Sequence, residues 1–385
     1  VVLGGRGFCR MAWGWADSAS GGHWPARASA FATRLQTTRP MKRPFSTALK
    51  LAIMLHCLGA AGQAVAPQPP RMEWVASGGS RMHKVEPAAG RPAGFALLGG
   101  GETGVVFTNR LSEAAVARNR VTENGSGVAL GDVDGDGWCD IYFCGLEGSN
   151  ALYRNLGGLR FEEITAAAGV ACENQFSTGV LMADVDGDHD LDLLVNSLGG
   201  GTRLFLNDGK GRFTERTDTR LTRRFAATSM AMGDMDRDGD LDLYVANYRT
   251  ISFRDEIPPV KVEARLVDGQ ISLSPAGRFV PLMARQGQVE MSELGERDFI
   301  YLNQGEGSFA PISWTSGSFV DREGKALKAP PQDWGLAVAF RDLNQDGWPD
   351  LYVCNDFFFS PDRIWFNRGG AGFREATLTE FSQIS

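Results

Sequence analysis

One acidic nonapeptide occurs four times in this chain, and no other feature limits its possible folds as tightly. The copies are Asp132-Val-Asp134-Gly-Asp136-Gly-Trp138-Cys-Asp140, Asp184-Val-Asp186-Gly-Asp188-His-Asp190-Leu-Asp192, Asp234-Met-Asp236-Arg-Asp238-Gly-Asp240-Leu-Asp242 and Asp342-Leu-Asn344-Gln-Asp346-Gly-Trp348-Pro-Asp350. Positions 1, 3, 5 and 9 carry a side-chain oxygen in every copy. Carboxylates crowded this closely repel one another unless a cation sits among them. A hard divalent ion that takes six to eight oxygen ligands removes the repulsion, and calcium fits that description best. Position 7 (Trp138, Asp190, Asp240, Trp348) varies in chemistry, as expected of a residue that gives only its backbone carbonyl. For the side chains of Asp190 and Asp240 two readings stand, extra ligands or solvated loop charges.

The first half of each copy resembles an EF-hand loop, but the second half does not. An EF-hand needs a bidentate Glu at position 12 and a following helix. Position 12 here is Phe143, Val195, Val245 or Val353, inside runs such as Leu243-Tyr-Val-Ala and Leu351-Tyr-Val-Cys that read as strands. Each loop therefore joins two strands. An apolar run opens each unit after a small residue, as in Gly127-Val-Ala-Leu and Gly179-Val-Leu-Met. A third segment ends in Asn (Asn155, Asn207, Asn303, Asn367), and a Gly-rich turn leads to a fourth that begins with Phe161, Phe213, Phe309 or Phe373. The Asn and the glycines are assigned the positive φ angles that the hairpin turn requires. Four short antiparallel strands in about fifty residues describe a propeller blade.

The first Asp of each loop falls at 132, 184, 234 and 342, steps of 52, 50 and 108. The repeats are placed at about 125–170, 177–220, 227–315 and 334–380. The long step is an insertion over 249–297, charged and Pro-containing, with a hairpin expected around Asp268-Gly269. The segment 65–104 is rich in Pro, Gly and Ala and reads as a flexible linker. Its Gly99-Gly-Gly101-Glu-Thr-Gly104 satisfies a nucleotide-binding string in letters only, because no strand precedes it and no helix is expected after it.

Met41-Lys-Arg43 followed by the apolar Ala48–Ala61 and small residues at Gly62 and Ala64 reads as a secretory signal peptide over 41–64, too short for a membrane span. Residues 1–40 read as an upstream extension from a start codon placed too early. Residues 1–64 hold eight of the 39 basic residues and one of the 46 acidic ones, so the remainder carries a net charge of −14. Such a balance disfavours nucleic acid and anionic membranes, and suits cation binding. Of the later cysteines, Cys139 and Cys144 lie on opposite faces of one strand, and Cys144 and Cys354 share a repeat position expected to be a small core site.

Taken together, the acidic loop, the strand after it, the Asn-Gly turn and the Phe-x-x-x-Thr strand resemble the FG-GAP/VCBS repeat family. The wording is closest to its cartilage-acidic-protein-like (UnbV-type) branch, as in Met230-Ala-Met-Gly-Asp-Met-Asp-Arg-Asp-Gly-Asp-Leu-Asp-Leu-Tyr-Val-Ala-Asn-Tyr and Asp333-Trp-Gly-Leu-Ala-Val-Ala-Phe. The resemblance spans about Val105 to Ser385. It implies an all-β, integrin-like propeller, seven-bladed in its native form, with calcium between first and second strands. About four blades are present, which makes the chain a truncated product on this reading, with Val105–Phe107 as the strand that would close the ring. Loop two departs from the pattern with His189 where the others have Gly137, Gly239 and Gly347. That position needs a left-handed backbone, so the second of about four calcium sites is expected to be weaker.

No nucleophile elbow, H-E-x-x-H motif or P-loop occurs, and His83 and His189 are the only histidines beyond residue 64. The expected function is a non-enzymatic, secreted module (periplasmic in a Gram-negative host) that binds extracellular protein or glycan. The alternative is an accessory repeat region of an extracellular enzyme.

Overall fold

The computed structural model describes residues 75–77, 80–82, 96–221, 223–285, 288–356, 360–377 and 380. The upstream extension and the signal peptide lie outside the described residues, as does much of the linker. Where 65–104 is described it is not featureless. Strands β1 (Val75–Ser77) and β2 (Ser80–Met82) pair as a hairpin, and Gly100–Thr103 forms one helical turn closed by Gly104. Local hydrogen bonding, with Glu102 reaching back to the Gly99 N–H at 3.0 Å, outweighs the glycine content there.

The rest is nearly all-β. The first four-stranded antiparallel sheet contains β3 (Val128–Gly131), β4 (Asp140–Phe143), β5 (Ala151–Asn155) and β6 (Phe161–Glu163). The second contains β7 (Ser177–Ala183), β8 (Asp192–Ser197), β9 (Gly201–Asn207) and β10 (Phe213–Arg216). The third begins with β11 (Ala227–Gly233) and β12 (Asp242–Asn247). Two hairpins follow, β13 (Glu263–Val267) with β14 (Gln270–Ser274) and β15 (Phe279–Arg285) with β16 (Gln288–Glu293), before the sheet resumes with β17 (Phe299–Asn303) and β18 (Phe309–Pro311). Asp268 and Gly269, at φ 50° and 81°, make the tight turn of the first hairpin. The fourth sheet is β20 (Gly335–Arg341), β21 (Asp350–Asn355), β22 (Arg363–Asn367) and β23 (Phe373–Glu375), with β19 (Phe319–Val320) added parallel to β23. Apart from the added β19, strand order follows chain order within each sheet, giving four consecutive propeller blades.

The apolar cores lie between sheets. Tyr142, Leu152, Leu193 and Phe205 join the first two; Leu194, Leu204, Leu243, Tyr301 and Phe309 join the second and third. Trp314, Phe319, Leu351, Trp365 and Phe373 join the third and fourth. Covered on both faces, β8 and β12 are buried at every position, which explains their near-continuous apolar sequence. Small residues begin the first strands because neighbouring first strands approach closely there. A Cβ on Gly179 would lie 2.7 Å from the Thr228 carbonyl oxygen. Cys144 is buried as expected, whereas Cys354 is half-exposed, on the side of β21 where no further described sheet packs. Val105–Phe107 pairs with no strand among the described residues. Val106 N–H donates to the Tyr153 hydroxyl at 3.3 Å and Phe107 stacks on Phe143 at 5.0 Å, so side chains hold this segment in place of a strand ladder.

A second set of polar ties sits at the end of the blades away from the acidic loops. Asp298, buried at the start of the third blade's third strand, accepts from Tyr244 Oη at 2.6 Å and from Asn247 N–H at 2.7 Å. Burial pushes its carboxyl up to about 7, opposed by those two donors, raised further by Asp333 and lowered by Arg363. A carboxyl whose folded value lies above its unfolded value near 3.9 favours folding while protonated. Its contribution is complete below about pH 4 and is lost as pH rises toward 7. The first blade has Asn150 at this place, donating to Tyr142 Oη at 2.7 Å and accepting from Gly145 N–H at 2.8 Å. Asp298→Asn should therefore fold, and thermal melts from pH 4 to 8 should lose part of the wild-type decline in stability. Superimposable pH profiles would show that Asp298 does not titrate in that window.

Candidate metal centres

The four acidic segments all occupy the turn between first and second strands, at one end of their sheets. Their backbone is specialised at two positions. Position 6 is left-handed in all four, with Gly137, Gly239 and Gly347 at φ 87°, 102° and 90° and His189 at 74°. Position 4 is left-handed too, including the non-glycine Arg237 (63°) and Gln345 (62°). His189 thus takes the conformation its position demands, with its Nδ1 3.6 Å from Asp184 Oδ2.

Carboxylates converge in three loops. Asp132, Asp134 and Asp136 can place one oxygen each within 4.8 Å of one another, as can Asp184, Asp186 and Asp192, and Asp234, Asp236 and Asp242. In the fourth loop Asn344 replaces a carboxylate, and its Nδ2 donates to Asp346 Oδ2 at 2.9 Å. Asp188, Asp238 and Asp346, at position 5, use Oδ1 to accept from the N–H of Asp190, Asp240 and Trp348. This fixes the backbone at position 7. In loop one Arg154 lies 3.7 Å from Asp134, a fixed positive charge beside the cluster.

Of the two readings of the Asp190 side chain, the solvated charge does not hold. Its Oδ1 is buried without a hydrogen-bond partner, and burial, then Asp188 and Asp186, push its carboxyl up to about 6. Packing against the Gly209 turn holds it there, since a Cβ on that glycine would lie 3.2 Å from Asp190 Oδ2. Asp234 Oδ1 in loop three is likewise buried and unpartnered. Orphaned, anionic, hard oxygen atoms inside acidic clusters are the donor set a calcium ion takes. The residues present therefore fit that ion.

Position 9 does more than the sequence suggested. Asp140, Asp192, Asp242 and Asp350 are fully buried. In each, Oδ2 accepts the N–H of position 2 (Val133, Val185, Met235, Leu343) at 2.9–3.0 Å. Oδ1 accepts the N–H of the Asn that ends the third strand (Asn155, Asn207, Asn303, Asn367) at 2.7–2.9 Å. Burial raises these carboxyls, to about 6 in Asp140 and about 7 in Asp192 and Asp242, although both backbone donors oppose it.

The same asparagines correct a second expectation. None has positive φ; glycines such as Gly157, Gly209 and Gly369 carry that conformation. The Asn side chain instead clasps the preceding blade. Asn207, Asn303 and Asn367 donate Nδ2 to the position-2 carbonyls of the blade before, Val133, Val185 and Met235, at 2.8–2.9 Å. Each of the first three acidic loops is thus hydrogen-bonded to the next blade. The recurrence of Asn in all four copies was visible, but its reach across blades was not. Loops three and four also touch directly: Arg237 donates to the Gly347 carbonyl and lies 4.1 Å over the Trp348 ring.

Comparison with known proteins finds a family model that matches the first three loops. The family described as FG-GAP-like repeat matches residues 132–195 and 184–245. Cartilage acidic protein 1 of Xenopus tropicalis is 28% identical over 146 residues, 37% of this chain and 22% of that protein. The Homo sapiens protein of the same name is 29% identical over 133 residues, 33% of this chain and 20% of that one. The match thus spans about a fifth of the length of these curated relatives. Among solved structures, the V. cholerae biofilm matrix protein Bap1 aligns with TM-score 0.28 and 14% identity over 64% of this chain and 38% of that one, an overlap too slight to argue from.

Proposed function

We propose, taking as given that this chain carries FG-GAP-like repeats, that it is a secreted, calcium-stabilised propeller module that binds an extracellular protein or glycan and performs no catalysis. The buried, unpartnered Asp234 Oδ1 inside a converging carboxylate cluster is the observation that carries the calcium part. Asp132, Asp134, Asp136 and Asp140, with the Trp138 carbonyl, would hold one ion. Asp184, Asp186, Asp188, Asp192 and the Asp190 carbonyl would hold a second, and Asp234, Asp236, Asp238, Asp242 and the Asp240 carbonyl a third. Asp342, Asn344, Asp346, Asp350 and the Trp348 carbonyl would hold a fourth, in the loop with the fewest carboxylates. Bound calcium supplies positive charge that screens carboxylates from one another. The protein's own part is to hold the oxygens of positions 3 and 5 through the N–H groups of positions 5 and 7, and those of position 9 through position 2 and the third-strand Asn.

The extracellular part of the reading is supported by the repeat family and by the named relatives. No helix among the described residues is long and apolar enough to cross a membrane. Affinities of roughly 10⁻⁴–10⁻³ M are typical of extracellular calcium modules. At ten times the dissociation constant, each site then adds about 1.4 kcal/mol to the folded state by mass action. Calcium at millimolar concentration should raise the melting temperature by several degrees over chelator, and magnesium should do less. An unchanged melt would remove the calcium reading. Binding is tested separately on arrays of glycans and matrix proteins, where an array without hits would leave only a scaffold.

A further inference from the structure

The third blade breaks its own repeat on the side away from the acidic loops. In the second and fourth blades an arginine lies four residues before the Asn that ends the third strand and pairs with a glutamate on the fourth, Arg203 with Glu215 at 2.6 Å and Arg363 with Glu375 at 2.8 Å. The third blade has Phe299 and Pro311 at these places, and no ion pair is possible. A cleft of about 260 Å³ opens there, lined by Phe299, Pro311, Trp314 and Thr315. Its cations come from outside the repeat pattern. Arg223, in the segment entering this blade, lies 5.7 Å from the Phe299 ring centre, and Arg297 lies 5.4 Å from it. Position 297 corresponds to Ser149, Gly201 and Pro361 in the other blades, so repeat geometry does not demand an arginine.

Both guanidinium groups are exposed, and among the described residues neither pairs with a carboxylate or donates a side-chain hydrogen bond. The neighbouring Glu296 makes no ion pair with either; its oxygens accept from Ala226 N–H and from Thr250. Two positive charges line one cleft, at 5.7 and 5.4 Å from the same ring centre, and an anion entering it is attracted by both. Each guanidinium lies over the ring and donates no side-chain hydrogen bond among the described residues, so its N–H groups are available for a fork-shaped contact with an oxyanion.

We infer that this cleft binds an oxyanion, sulfate ester or carboxylate, displayed on an acidic polysaccharide. The inference narrows the ligand of the binding-module reading and rests on it. The test uses the full chain in calcium buffer over immobilised dextran sulfate, carboxymethyl dextran and unmodified dextran. The first two arms separate sulfate from carboxylate, and binding to either supports the cleft. Arg223→Ala with Arg297→Ala should weaken that binding about tenfold or more, from the loss of two charge-assisted contacts. Arg220→Ala with Arg224→Ala removes the same charge from the same segment and should change binding far less. Arg223→Lys with Arg297→Lys should recover only part of it. Equal losses in both alanine pairs would reduce the effect to overall charge and overturn the proposal. So would a wild type that ignores both acidic polymers. If glycan or matrix arrays still show hits in that case, the binding module survives and the cleft alone falls. All four arginines are exposed, so the variants should melt as the wild type does.

Discussion

Asp242→Ala should destabilise the protein by roughly 2–6 kcal/mol whether or not calcium is present, because two buried N–H groups, of Met235 and Asn303, lose their acceptor at about 1–3 kcal/mol each. Asp234→Ala, eight positions earlier in the same loop, should behave in the opposite way in chelator. Its Oδ1 is buried without a donor, so removing the carboxylate relieves an uncompensated charge and the melting temperature should hold or rise. With calcium the sign reverses, since a ligand has gone. The measurement is four melts, each variant against wild type in calcium and in chelator. Were Asp242→Ala and wild type to coincide in chelator, the aspartate would serve the metal alone and its hydrogen bonds would carry no weight. Were Asp234→Ala to fall equally in both conditions, the orphaned oxygen would not be a ligand.

A comparable loss is expected between the third and fourth blades. Trp365 is 1% exposed and packs against Trp314 and Phe319 at ring separations of 5.6 and 5.4 Å. Trp365→Ala should cost about 3–5 kcal/mol, from lost burial plus the cavity left behind. Trp365→Phe should cost much less. The indole Nε1 has no acceptor in its buried site, and a buried donor without a partner is unfavourable by about 1–3 kcal/mol. The second blade already places Phe205 at the equivalent position. Denaturant melts of the two variants decide this, and equal losses would mean that the indole is held by more than its shape.

Much of the fold was legible because the repeat supplied its own controls. Four copies of an acidic loop, each followed by a β-branched run, left little room for helices. The four strands of each blade appear in the expected order. What could not be read are the contacts between copies. Nothing in Asn207 announces that its amide reaches Val133, 74 residues earlier. The inward turn of Asp190 depends on a glycine turn of another strand, so a local reading left both placements open. The two hairpins of the insertion were half visible: Asp268-Gly269 marks the first, whereas the second has no such turn signature. Arg223 and Arg297 are 74 residues apart and come to the same Phe299 ring, where the second and fourth blades carry an Arg–Glu pair.

The placement of apolar residues between successive sheets has a bearing on how such chains change in length over time. Every joint is built from the outer faces of two adjacent units, so a unit gained or lost leaves all remaining joints with the partners they require. Descent can therefore work by duplication and deletion of whole segments, without the wholesale redesign that a single central core would impose. The third unit carries its extra material in a connection that contributes no described residue to the three cores between sheets.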